Sequence, residues 1–210
     1  VRKLVNSDNN LRDQNKLYEE RLRRFRILVC IDGEDEGFRG LQYAARMGGA
    51  LKDCDIVLLY VRPIDQGLAT GGLQVRLARE NMLSWGLELP GIRYLKKGLS
   101  MLVEDVEMEA EWSSSMVHTD VDGDPLGDNK VEYSHPSGRR IVLKLKTAPD
   151  VASGILDQYA LGPYNVIILG SGMSGRSRLQ AALIPRTHEK VALHAPCSVL
   201  VTRDLVAGQG

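Results

Sequence analysis

At 210 residues, 43% hydrophobic and 26% charged, the chain is long enough for one domain with a full core, or one domain with an appendage. Twenty-seven basic residues against 27 acidic ones leave a formal net charge of zero, and 5% aromatic content is low. Together these argue against sequence-independent nucleic-acid binding and against stacking platforms for single strands. No run approaches the roughly 18 apolar residues of a membrane span, and no signal-peptide pattern is read at the start. The three cysteines, Cys30, Cys54 and Cys197, give neither a disulfide framework nor a zinc spacing, which points to a reducing, cytoplasmic setting.

Residues 1–25 are polar and helix-prone from about Asn10, with Leu4, Leu11, Tyr18 and Phe25 at seven-residue intervals. Only Leu22 offers a second apolar seam, so a solvated helical extension or linker is expected rather than a coiled coil. The remainder, 26–210, reads as one α/β domain. "RILVCIDG" is a buried strand meeting a turn, and "EDEGFRGLQYAARMGGALK" a helix with acids in its first turn and Phe38, Leu41, Ala45 and Gly48 on one face. "CDIVLLYVRP" is a second buried strand. Strand, helix and strand in so short a span make a right-handed parallel βαβ unit.

The segment 66–98 reads as helical in its first half and broken by Leu89-Pro90-Gly91, with a second helix from about Tyr94 to Ala110. Trp112 to Asn129 is a loop by composition. Its Asp120, Asp122 and Asp124 lack calcium-loop spacing, because the glycine falls between the second and third acids. "KVEYSHPSGRRIVLKLKTA" is a hairpin, so that about 112–139 is expected as an insertion outside the core sheet. "PDVASGILDQYA" is a short helix, "YNVIILG" a third buried strand, and "SVLVTRD" a fourth after one more helix. Buried strands alternating with helices specify a doubly wound α/β sandwich.

In such a sheet, ligands sit beyond the carboxyl ends of the strands, where the winding reverses. Asp32 closes the first strand and is suited to ribose hydroxyls. Val61 offers backbone groups to a base edge. Gly170, Gly172 and Gly175 let backbone N–H groups approach phosphate. His194 lies at a helix end, where a cation suits the dipole. The remaining histidines have no ligand spacing, and neither a nucleophile elbow nor a phosphate-loop lysine is present.

"RILVCIDGEDEGFRGLQYAARMGGAL", "IVLLYVRP", "NVIILGSGMSGRSRL" and "HAPCSVLVTRD" resemble the universal stress protein family over residues 26–62 and roughly 140–204. The resemblance implies a five-stranded parallel sheet in the order 3-2-1-4-5, commonly a homodimer through the last strand, here Ser198–Thr202. It also implies that some members bind ATP or AMP and others nothing. ATP-binding members carry Gly, two residues, Gly, nine residues, then Gly with Ser or Thr. Gly172 and Gly175 fit the first half, but nine residues on stand Pro185 and Arg186. Proline has no N–H for a phosphate, whereas Arg176, Arg178 and Arg186 can grip one bidentately.

The expectation is thus a sensing module that binds an adenine nucleotide, AMP or ADP in preference to ATP, with magnesium only alongside ATP. The alternatives are a cytosolic regulatory domain of a larger protein, such as a membrane transporter attached through residues 1–25, with no nucleotide, and a slow ATPase.

Overall fold

The computed structural model describes residues 15–64, 90–121, 124–171 and 186–203. They form a short helix α1 (residues 15–22), β1 (Phe25–Cys30), α2 (Asp35–Gly49), β2 (Cys54–Pro63), α3 (Pro90–Ser100) and α4 (Asp105–Glu111). There follow β3 (Ser113–Val121), β4 (Asp124–Ser134), β5 (Arg140–Ala148), α5 (Val151–Ala160), β6 (Val166–Gly170), α6 (Thr187–His194) and β7 (Ser198–Thr202).

The strands make one seven-stranded sheet in the order β3-β4-β5-β2-β1-β6-β7. β1 pairs in parallel with both β2 and β6, β2 with β5, and β6 with β7. Numbered among themselves, these five parallel strands run 3-2-1-4-5, as expected. β1 is the switch point: the chain winds from it to one side through β2 and β5, then crosses over α5 to the other side through β6 and β7.

The apolar runs of β1 and β6 are buried on both faces, with Ile27, Leu28, Val29, Ile167 and Ile168 at 0% exposure. One face meets α2 and α3 in a cluster containing Val29, Phe38, Leu41, Leu58 and Leu95. The other meets α5 and α6 through Leu28, Val57, Leu59, Ile155 and Val191. Both faces being covered explains why the parallel strands read as continuous hydrophobic runs rather than alternating ones. Asp150 starts α5 by accepting the Ser153 N–H at 3.1 Å, a regular N-cap.

Two expectations are corrected. The stretch 112–139 is not an excursion from the sheet: β3 and β4 are hydrogen-bonded into it, β4 antiparallel to both β3 and β5. Most of β3 is exposed to solvent, with Met116 at 76% and Val117 at 52%. A strand wet on both faces carries the polar composition of a loop, which is why composition misleads there. The hairpin β4–β5 itself is as expected, and its turn closes with Gly138 at φ +91°. The helix expected from Tyr94 to Ala110 is two helices. Pro90 begins α3 rather than breaking it, since proline suits a first helical turn. Between α3 and α4, Val103 enters the core while Glu104 turns extended.

Candidate functional site

The carboxyl ends of β1, β2 and β6 meet beside the switch point, and the sheet register fixes what each contributes. The Ile31 N–H donates to Leu59 O at 2.8 Å, so Leu59 turns its backbone groups toward β1. Alternation turns those of Val61 to the same side, just past the end of β1. The Val61 side chain is buried against the α5 face, where a Cβ at Gly154 would lie 2.6 Å from it. Only the backbone of Val61 is therefore offered to the crevice.

Asp32 follows β1 at the mouth of this crevice. Its Oδ1 accepts the Glu34 N–H at 3.0 Å, which shapes the turn into α2. The side chain is open to solvent on one side, yet burial by its surroundings pushes its carboxyl above the usual aspartate range; the Glu34 N–H and its own N–H oppose this, and Glu36 adds to it. Two glycines bring the first turn of α2 against the strand ends. A Cβ at Gly37 would lie 2.8 Å from Asp32 Oδ1, and one at Gly170 would lie 2.8 Å from the Gly37 nitrogen. Asp32, Gly37 and Gly170 are thus contiguous. Gly170 has a packing reason to be glycine, namely the passage of α2. Behind it, the Ser171 N–H donates to Thr202 O at 2.8 Å, and the Thr202 hydroxyl lies 2.7 Å from Glu36 O.

On the opposite wall Tyr94 of α3 covers the turn. Gly33 has φ +96°, and a Cβ there would fall 2.5 Å from the Tyr94 ring. Tyr94 is tilted against Tyr60 of β2 at 5.9 Å between centroids. Burial raises the Tyr60 phenol, as do Tyr94 and Asp32 against the opposing pull of Arg62, so these side chains share one environment. Neither tyrosine was singled out from the sequence; an aromatic one residue before Val61 was the available signal.

The charge of the crevice is lopsided. Asp32, Glu34, Asp35 and Glu36 crowd the β1 side, which repels an anion there and less so toward the start of α6. Arg186 stands there as the residue preceding α6. Its N–H donates to Glu189 Oε2 at 2.9 Å, so a carboxylate of this chain already takes one donor of that helix start. Gly172, Gly175, Arg176 and Arg178 lie outside the described residues, as does Pro185.

A separate polar cluster surrounds His135. Its Nε2 lies 2.7 Å from Glu111 Oε2, and its Nδ1 lies 2.7 Å from the Ser137 hydroxyl. The arrangement has the members of a nucleophilic triad but not the rest of the machinery. The Ser137 N–H donates to His135 Nδ1 and the Gly138 N–H to His135 O, so both local backbone donors that could stabilise an oxyanion are committed. The cluster locks the β4–β5 turn.

The strand order decides the fold. The parallel core is a doubly wound five-stranded sheet in the order 3-2-1-4-5, with two antiparallel strands added at one edge. No protein-family model matches the chain, and no curated protein matches it. Among solved structures, a universal stress protein from Archaeoglobus fulgidus is similar at 14% identity and a TM-score of 0.45, over 85% of this chain and 93% of that one. A universal stress protein in complex with cAMP is similar at 10% identity and 0.49, over 86% and 97%. A universal stress protein family protein from Arabidopsis thaliana with AMP bound is similar at 12% identity and 0.44, over 89% and 96%. The sheet here carries β3 and β4 in addition to its five parallel strands.

Proposed function

We propose that the chain is a universal-stress-type sensing module that binds an adenine nucleotide in the crevice beyond β1, β2 and β6. The observation that carries this reading is the placement of Asp32 and the Val61 backbone side by side at the switch point. Asp32 takes the ribose hydroxyls, Val61 reads the base edge, and the phosphates extend from Gly170 toward Gly172, Gly175, Arg176 and Arg186. AMP or ADP binds at least as well as ATP. Pro185 withdraws a donor where a distal phosphate would need one, and Glu189 already caps the start of α6. Magnesium enters only with ATP. Two copies pair through β7, whose outer edge has no neighbour among the described residues.

Calorimetry with AMP, ADP and ATP tests the nucleotide. The expected result is binding of AMP or ADP no weaker than ATP, reduced by Asp32→Ala about ten- to a hundredfold, the equivalent of a lost charge-assisted hydrogen bond of ~1.5–3 kcal/mol. Binding by none of the three, or a clear preference for ATP, overturns the reading. The pairing is tested by light scattering: a monomer at roughly tens of micromolar, above a micromolar dissociation constant, is the contrary result.

A further inference from the structure

We infer that the face of the sheet beneath α1 carries a second ligand site, a pocket for a phosphate-sized dianion held between Lys144 and Arg21. A cavity of about 130 Å³ opens there, between α1 and the strands β2, β4 and β5, on the face that α5 also covers. It sits toward the amino ends of β1 and β2, away from the crevice at their carboxyl ends.

Its charge does not balance. Five cationic side chains line it against three carboxylates. The carboxylates are spoken for: Asp55 takes Arg26 at 3.2 Å and Arg140 at 2.9 Å, Glu132 takes Lys130 at 2.6 Å, and Glu20 takes Arg140 at 2.8 Å. Arg24 and Asp53 beside the pocket add one charge of each sign and leave the excess at two.

The surplus falls on two groups. The Arg21 guanidinium donates to Leu161 O at 2.7 Å and has no carboxylate partner among the described residues. The Lys144 ammonium donates to Gln158 Oε1 at 2.6 Å. An ammonium has three N–H donors, so two remain for the cavity. Gln158 is itself fixed, donating to the Tyr164 hydroxyl at 2.9 Å, and holds the amine in place. Burial first, and then the nearby charges of Lys130, Lys146 and Arg21, together lower the Lys144 pKa to about 8 against the weaker pull of Asp128. This electrostatic strain is of the kind a bound dianion relieves.

The volume sets the size of the ligand. Water takes about 30 Å³ in the liquid, so the cavity has room for a tetrahedral oxyanion. The ligand is phosphate, or the phosphate end of a small ester whose remainder leaves past the exposed Leu17.

The test is calorimetry of the full chain in phosphate-free buffer, with inorganic phosphate and with glycerol phosphate. We expect one binding event that Lys144→Met removes, that Lys144→Arg keeps, and that Asp32→Ala leaves unchanged. This last result separates the pocket from the nucleotide crevice. Should Lys144→Met fail to fold by circular dichroism, Lys130→Met replaces it, with an expected loss of about two- to fivefold in affinity, as for a lost charge near the site. Tighter binding of one anion tells a free phosphate site from an ester site. Absence of binding by both, or an unchanged titration in the variant used, overturns the assignment.

Discussion

Asp55 is 3% exposed and holds three guanidinium groups, Arg24 at 2.6 Å, Arg26 at 3.2 Å and Arg140 at 2.9 Å. The register explains the meeting: Arg26, Asp55 and Arg140 are lateral neighbours in one row across β1, β2 and β5. Neutralising the centre strands three partly buried cations. Asp55→Asn is therefore expected to cost about 3–5 kcal/mol, measured as the shift in urea midpoint at constant slope. Lys144 gives the opposite sign. Its folded pKa of about 8 lies below the ordinary 10.5, so the unfolded chain holds that proton more tightly. The penalty is full below pH 8 and fades as pH rises to about 10.5, by at most about 3–4 kcal/mol at 1.4 per pH unit. Buried tyrosines and cysteines titrate in the same window with the reverse effect. The check is thus the difference between wild type and Lys144→Met: the wild type gains on the variant between pH 8 and 10.5. A constant gap between the two curves contradicts it.

The central strands of the parallel core were legible because strands buried on both faces advertise themselves as uninterrupted apolar runs: Cys54–Pro63 stands where the sequence reading put it, and so does Ser198–Thr202, an apolar edge strand that is only partly buried. β3 was not legible. "SSSMVHTDV" buries almost nothing, and its partner is chosen by the unsatisfied edge of β4 rather than by side chains. The same fact predicts its energetic weight. Replacing 113–126 by a Gly/Ser linker of about 20 residues, whose reach of roughly 25 Å covers the roughly 23 Å back along β4 from Ser134 to Gly127, is expected to lower the melting temperature by only a few degrees and to keep unfolding cooperative. Residues from Gly127 onward must stay, since Thr147 donates from its N–H to Asp128 Oδ1 at 2.7 Å and from its hydroxyl to Gly127 O at 3.1 Å. Broad, non-cooperative melting would make β3 part of the core.

At the scale of the whole molecule, the crevice was only half legible. Asp32 and Val61 follow from where their strands end, a property of local sequence. Tyr94, which covers Gly33, and Glu189, which caps α6, depend on how distant segments pack, and a linear pattern does not carry that. The row of arginines about Asp55 escaped for the same reason: each charge opens its own strand, and only the register puts them side by side. The position of β1 has one more consequence, in the kinetics of amide hydrogen exchange. Flanked on both edges and covered on both faces, the amides of Ile27, Leu28 and Val29 are released only when the entire domain opens, together with Ile167 and Ile168 of β6. Those of β3 are released by fraying. Under conditions where exchange reports equilibrium opening, protection is expected to fall outward from β1 to β3, with the β1 amides matching the global unfolding free energy. The slowest protons in the protein thus mark the strand that leads directly to Asp32, so the crevice is anchored to the last part of the molecule to come undone.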